Sequence, residues 1–389
     1  MMDISKENWK SYNIIDVLEK MQTGKTPPSK VEKYFTGKVN WFNPGDVGNN
    51  KILSNSKRKI TNIAIQEGKA YVFPKGSVLL TCIGEIGRVG IINSEASSNQ
   101  QITALIPNSK ISSDYLYYWL IFNKWRVVKL SNSAVVPIVN NKRLRTLTIP
   151  LPPLETQKQI AHTLDTASAL IEKTQAQLDA LDELAQSIFL EMFGDPVLNE
   201  KGWEVKRLSD FGNWKSGGTP SRSKPEYFKN GTINWFSSGE LNSIYLYDTN
   251  EKITESALKE SSTKEILPYS LLLGMYDTAA LKSGITTEKS SCNQAIAFAK
   301  LDESLVDTIY IYHFIQFSKN WLRRMQRGVR QKNMNLSMIK NLKIQYPPLV
   351  LQKEFALACS NIQSQKSNFQ KSLIQCENLF NGLLQEIFS

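Results

Sequence analysis

The sequence predicts an α+β protein written twice, with two mixed α/β domains that are each followed by one long helix. Three observations predict it. Short matches recur in order half a chain apart, strand-like runs alternate with turns in the first part of each half, and a heptad-spaced apolar run closes each half. The expected boundaries are 1–150 for the first domain, 151–194 for a central helix, 195–346 for the second domain and 347–389 for a C-terminal helix.

The repeat opens with Gly24-Lys25-Thr26-Pro27, which returns as Gly217-Gly218-Thr219-Pro220. Tyr34-Phe35 returns as Tyr227-Phe228, Asn40-Trp41-Phe42 as Asn234-Trp235-Phe236, and Gly45-Asp46 as Gly239-Glu240. Further on, Pro74, Gly90 and Asn99-Gln100 meet Pro268, Gly284 and Asn293-Gln294. Ile149 and Pro152-Pro153-Leu154 meet Ile344 and Pro347-Pro348-Leu349, and Phe193 meets Phe388. The offset drifts only from 193 to 195. Chance does not preserve such an order over the whole chain, so the protein is a duplication.

Within each α/β part, 77–83 and 89–92 are β-branched and apolar runs between turn residues, and they read as strands. The run 114–125 reads as a helix. From Ile160 the apolar positions continue through Leu164, Ala167, Ile171, Leu178, Leu181, Ala185, Ile188 and Met192, with Thr174 out of pattern. The second run holds Phe355, Cys359, Ile362, Phe369, Leu373, Cys376, Phe380, Leu383 and Ile387, with Lys366 out of pattern. A 3.5-residue period held over about five heptads predicts a coiled coil, and each helix is the natural partner of the other. Pro-Pro leads into each run, and Gly194-Asp195-Pro196 stops the first. Helices of this size extend about 55 Å.

The net charge of +11 is unevenly spread. Residues 1–150 carry 21 Lys and Arg against 10 Asp and Glu, and 201–346 carry 21 against 14. Residues 151–200 carry 2 against 9. Two basic blocks divided by an acidic one predict two polyanion-binding surfaces joined by a segment that faces elsewhere. Cys82, Cys292, Cys359 and Cys376 lie far apart without CxxC spacing, which argues against a metal site and for buried thiols in a reducing cytoplasm. No run approaches about 18 uncharged apolar residues, and the first residues lack an apolar signal segment.

Two α/β domains, each followed by a proline-led coiled-coil helix, resemble the DNA specificity subunit of type I restriction-modification systems. The likeness rests on the Gly-x-Thr-Pro stretches and on the Asn-Trp-Phe-x-x-Gly-Asp/Glu segments. It rests also on Ile-Pro-Leu-Pro-Pro-Leu-Glu-x-Gln at 149–157 and its echo at 344–352. The echo departs from that pattern at Gln345-Tyr346, and Val350-Leu351 stand where an acid would precede Gln352. The resemblance implies two target-recognition domains, one for each half of a bipartite duplex DNA site, separated by two helices in an antiparallel coiled coil. It implies methyltransferase subunits docked on this chain, restriction subunits joining that core, and S-adenosylmethionine, ATP and Mg used by those partners. Antiparallel pairing makes the repeat pseudo-twofold and brings Ser389 beside the start of the first domain, as Phe193 lies beside the start of the second. The implied seam comprises Ile160, Leu164, Ile171, Leu178, Leu181, Ile188, Phe355, Ile362, Phe369, Leu373, Phe380 and Leu383.

No catalytic or metal-binding residue is expected in this chain. There is no Gly-rich phosphate loop ending in Gly-Lys-Ser/Thr. Tyr346-Pro347-Pro348-Leu349 has neither the polar first residue nor the aromatic last residue of an amino-methyltransferase motif. A nuclease-like Asp…Glu-x-Lys fits only loosely on Asp46, Glu67 and Lys69, and Glu67 and Lys69 have no counterparts in the repeat. His162 and His313 fall on predicted helices, as surface or packing residues.

DNA contacts are expected from cations, hydroxyls and amides on loops, because phosphate contacts orient and base contacts specify. Lys25, Thr26 and Lys30 supply these in the first domain, and Lys215, Thr219, Arg222 and Lys224 in the second. Lys57, Arg58, Lys59, Lys142, Arg143 and Arg145 read as phosphate contacts. The richest stretch holds Arg323, Arg324, Arg327, Arg330, Gln331, Lys332 and Asn333 without an acid, a composition suited to reading the major groove. Its counterpart, 129–141, is rich in Ser, Asn and Val. Unlike chemistry on matching scaffolds is what two different half-sites require. Trp41 and Trp235 read as core. A coiled-coil scaffold would leave two basic domains unexplained, and a single-strand or RNA binder would need no rigid spacer.

Overall fold

A computed structural model of the chain describes residues 6, 9–132, 136–276, 279–325 and 333–389. Two compact units share it. The first holds 1–175 with 371–389, and the second holds 176–370. Each long helix is therefore divided between the units.

In the first unit the strands Leu18–Thr23, Ile102–Pro107, Val78–Thr81, Val89–Ile92 and Ile52–Leu53 form one sheet in that order. All neighbours are antiparallel except Ile52–Leu53, which runs parallel to Val89–Ile92. A second sheet places Val39–Phe42 between Arg58–Ile60 and Ala96–Ser98, antiparallel to the former and parallel to the latter. Lys10–Asn13 pairs antiparallel with Thr148–Leu151 beside the helix start. The alternation of side chains along a strand fills two cores. Val78 and Leu80 join the core that reaches the helices, whereas Leu79, Ile92, Ile102 and Ala104 enclose a second one with Phe42 and Phe73.

The second unit repeats this order with Lys215–Ser216, Ile296–Ala299, Leu271–Gly274, Ser283–Thr286 and Tyr245–Leu246. Its smaller sheet is Lys252–Ile253, Ile233–Phe236 and Ser290–Cys292, with the same directions. Glu204–Arg207 pairs with Lys343–Tyr346. The duplication read in the sequence is a duplication of topology.

The helices span Leu154–Phe193 and Leu349–Phe388, 40 residues each. They begin at the leucine after Pro-Pro, about one and a half turns before the heptads start. A buried glutamine fixes each start. Gln157 accepts from Ser112 N and donates to the carbonyls of Lys110 and Pro152. Gln352 accepts from Asp307 N and donates to Pro347 O. The clamp is thus kept where Val350-Leu351 depart from the first copy's pattern. Gly194 closes the first helix at φ +78°, a conformation open to glycine.

Pairing is antiparallel within each unit. In the first, Ile160, Ala161 and Leu164 share a core with Leu384, Ile387 and Phe388. In the second, Phe189 and Phe193 meet Phe355, while Leu181 and Ala185 meet Ile362. Ile171, Ile188, Phe369, Leu373, Phe380 and Leu383 are partly buried and Leu178 is buried, so each expected seam residue lies away from the exposed faces. The two exceptions to the heptads also sit inside. Thr174 is buried and donates to Leu170 O at 2.7 Å. Lys366 reaches Asp182 at 2.6 Å. Lys6 Nζ donates to Ser389 O at 3.0 Å, so the C-terminal helix ends beside the start of the first domain. Trp203 Nε1 donates to Phe193 O at 2.9 Å at the matching place in the second unit.

Two local readings differ. The strand expected over 77–83 is confined to Val78–Thr81, because Cys82 leaves the ladder to pair with Gln101 and Val139. The helix expected over 114–125 is Ser113–Phe122, and it breaks at Asn123, whose side chain bonds Trp119 O before Lys124–Lys129 begins. Among the described residues no helix is long and apolar enough to cross a membrane.

Candidate nucleic-acid interface

The repeated motifs converge at one corner of each unit. Gly24 leaves its strand to pair with Ile102 O, and Lys25 N bonds Ser98 O. Asn99 N then bonds Phe42 O, joining the Asn-Gln pair to Asn-Trp-Phe. Trp41 Nε1 donates to Lys25 O at 3.2 Å, so the indole holds the Thr-Pro loop. Thr26 Oγ1 donates to Gln100 Oε1. The second unit repeats every step: Gly217 N to Ile296 O, Gly218 N to Cys292 O, Asn293 N to Phe236 O, Trp235 Nε1 to Gly218 O, and Thr219 Oγ1 to Gln294 Oε1. A Cβ on Gly24 or Gly217 would overlap the backbone of 98–99 or 292–293, which explains the glycine. The glutamines were visible to the sequence only as repeat matches. Exposed and oriented by a threonine, Gln100 and Gln294 are polar groups facing solvent from a fixed base.

Asp46 and Glu240 are structural. Asp46 accepts from Asn43 N and Lys57 N, and Glu240 accepts from Ser237 N and Asn250 N. These bonds tie down the loops before Arg58 and Glu251.

An arginine lies across the same aromatic pair in each unit but comes from a different place. In the first, Arg58 stacks over Phe35 at 4.4 Å and Trp41 at 5.4 Å from the ring centres. In the second, Arg222 stacks over Phe228 at 4.5 Å and Trp235 at 5.5 Å. Arg222 also forms a bidentate ion pair with Glu251, at 2.6 and 2.7 Å. The bond to Arg222 lowers that carboxyl from its usual range. Trp41 and Trp235 are buried beneath the guanidinium groups, so they are core and not open stacking platforms.

The remaining expected contacts divide between exposed and engaged side chains. Lys30, Lys57, Lys59, Lys142, Arg145, Lys215 and Arg324 are exposed. Lys25 reaches Gly68 O at 2.5 Å and the Tyr71 ring, Lys224 bonds Tyr227 Oη at 3.0 Å, and Arg143 bonds Leu130 O at 2.8 Å. Arg323 donates to Ala280 O at 3.1 Å, and Asn333 bridges to Tyr276, which docks both ends of the basic stretch on one hairpin. Arg327, Arg330, Gln331 and Lys332 lie outside the described residues. The first unit docks its own segment likewise, with Ile138 on Ile83. There a groove lined by Thr23, Gln100, Thr103, Ile138, Asn140, Asn141 and Lys142 joins that segment to the motif corner.

The loose catalytic pattern finds other employment. Glu67 accepts from Lys33 at 2.6 Å and Tyr34 at 2.5 Å, and these bonds hold its carboxyl below the usual range. His162 is exposed on the central helix. His313 packs among Tyr312, Phe317 and Phe355, and burial pushes its imidazole down to about 4. Cys82, Cys292 and Cys359 are buried free thiols. No group of three or more His, Cys, Asp or Glu that could hold a metal gathers among the described residues.

The model of the type I restriction modification DNA specificity domain matches 6–183 and again 200–387. The chain belongs to this family. It is 27% identical to the type I restriction enzyme MjaIX specificity subunit of Methanocaldococcus jannaschii, covering 99% of this chain and 94% of that one. It is 28% identical to the EcoR124I/EcoR124II specificity subunit of Escherichia coli over 56% of this chain and 55% of that one. The S subunit structure from M. genitalium has the same fold, with a TM-score of 0.62 at 14% identity over 100% of this chain and 98% of that one. A structure reported for complex assembly and conformational transition of the type I system gives 0.59 at 14% identity over 98% of both chains. The chain is a specificity subunit, a recognition component and not an enzyme.

Proposed function

We propose that this chain selects a split duplex DNA target in the cytoplasm, with one half read by each unit, and that it directs partner subunits to that target. The observation that carries this reading is the pair of motif corners. Each has the same backbone frame and an exposed, threonine-held glutamine, yet the charged side chains around the two corners differ. A common frame suits a common phosphate backbone, and unlike outer residues suit different bases. Lys57, Lys59, Lys142 and Arg145 act on phosphates, and the basic, amide-rich composition of 323–333 suits base contacts in the second half. Methyltransferase subunits dock on exposed leucines of the helices, restriction subunits add to that assembly, and S-adenosylmethionine, ATP and Mg serve those partners.

Mapping of methylated bases in genomic DNA tests the reading. Cells that carry this chain with its methyltransferase partner should show methylation inside one split motif, and that pattern should vanish when this chain alone is removed. A pattern that persists without the chain would overturn the proposal.

A further inference from the structure

The two corners differ at a single register position in a way that bears on which bases they read. Arg58 opens the edge strand of the first unit's smaller sheet, opposite Trp41. In the second unit the matching strand pairs Ile253 with Ile233, as Ile60 pairs with Val39, so Glu251 stands where Arg58 does. The aromatic pair beneath is the same, and both pairs are edge-to-face, at 5.9 and 6.3 Å. One position thus carries a cation in one unit and an anion in the other. The second unit restores a stacked guanidinium from the Thr-Pro loop, but its fork is taken up by Glu251.

We infer that Arg58 is a specificity-determining residue that reads a guanine in the half-site of the first unit, and that the second unit has no equivalent reader because Glu251 occupies Arg222. This rests on the DNA-recognition reading above. A guanidinium drawn to two ring centres at 4.4 and 5.4 Å is confined by cation–π attraction while its N–H groups stay open. Among the described residues no ion pair or side-chain hydrogen bond engages the Arg58 fork, and the residue is exposed. Such a fork matches the O6 and N7 acceptors of guanine in the major groove. Lys57 and Lys59, its neighbours in the chain, are exposed, and phosphate contacts from such lysines orient a domain on the duplex. Arg58 therefore parts company with its lysine neighbours, with which the sequence had grouped it.

The test is a selection from random duplex DNA, followed by titration, with the full chain bound to its methyltransferase partner. The wild type should recover a guanine at one fixed position of one half. Arg58→Gln and Arg58→Lys should both lose that preference, with about ten-fold or greater weakening on the wild-type site and little change on a site lacking that guanine. Recovery of all other positions shows that the variants are folded. Arg222→Gln should leave base preferences in the second half intact and weaken binding to all sequences alike, because Glu251 then faces the phosphates unpaired. If Arg58→Gln weakens all sequences equally and Arg58→Lys binds like the wild type, Arg58 is a phosphate contact and the inference fails. Unchanged binding by both variants overturns it as well. A wild type that recovers no split motif overturns the proposed function itself.

Discussion

Gly24 and Gly217 hold the motif corners closed, since a methyl group at either would overlap the carbonyls of the neighbouring strand. Overpacking of this kind costs about 1–3 kcal/mol. Gly24→Ala should lower the stability of the first unit by that amount, and Gly217→Ala that of the second. Amide hydrogen exchange, which reports each unit separately, checks this; unchanged protection at 98–99 or 292–293 would refute it. His313 gives the second unit a dependence on pH. Burial, then the nearby Lys366 charge, depresses its imidazole to about 4, against a partial opposing effect of Asp182. The unfolded chain titrates near 6.5 and so binds more protons than the folded one between about 4 and 6.5. The stabilisation is therefore complete above about 6.5 and is lost as pH falls toward 4, by up to about 3 kcal/mol. His313→Gln should flatten that slope in unfolding experiments run between pH 4 and 7. The arginine exchange at 58 and 251 was not legible in the sequence, because it depends on which strands pair and on rings brought together from distant positions.

At the scale of the element, the long helices were the most legible part of the chain. Their seam follows from the heptads, and even Thr174 and Lys366 obey it once a hydroxyl can bond its own helix and an ammonium can reach Asp182. Buried and exposed apolar positions on the same helix should behave differently. Ile362 is 8% exposed and packs on Leu181 and Ala185, so Ile362→Ala should cost about 2 kcal/mol or more in thermal unfolding. Leu357 is 66% exposed, and Leu357→Ala should stay within about 0.5 kcal/mol of the wild type. If a methyltransferase subunit docks there, Leu357→Asp should weaken co-purification of the pair without lowering the melting temperature. The strands were legible as runs but not as partners. Nothing in 39–42 and 96–98 announces that they lie parallel, since the frame is set by long-range pairing.

At the scale of the whole molecule, the duplication carries the account. An ordered set of weak matches predicted two copies, and each unit repeats the same strand order and the same corner. The chemistry of each half-site was harder to read, because 323–333 and 129–141 match in place but not in composition, and the described ends of the former are anchored to a hairpin by contacts distant in sequence. We propose that the two units read two halves of one site and that the long helices set the gap between those halves. Binding selection from random duplex DNA is the test, with the full chain in complex compared against a chain lacking residues 167–173 together with 374–380 of the other helix. Removing one heptad from each helix keeps the seam in phase and shortens the pair by about 10 Å, equivalent to about three base pairs. The wild type should recover two separate blocks of bases with a fixed gap, and the deletion the same two blocks with an altered gap. A single uninterrupted block, or the original gap at full affinity in the shortened chain, would contradict it.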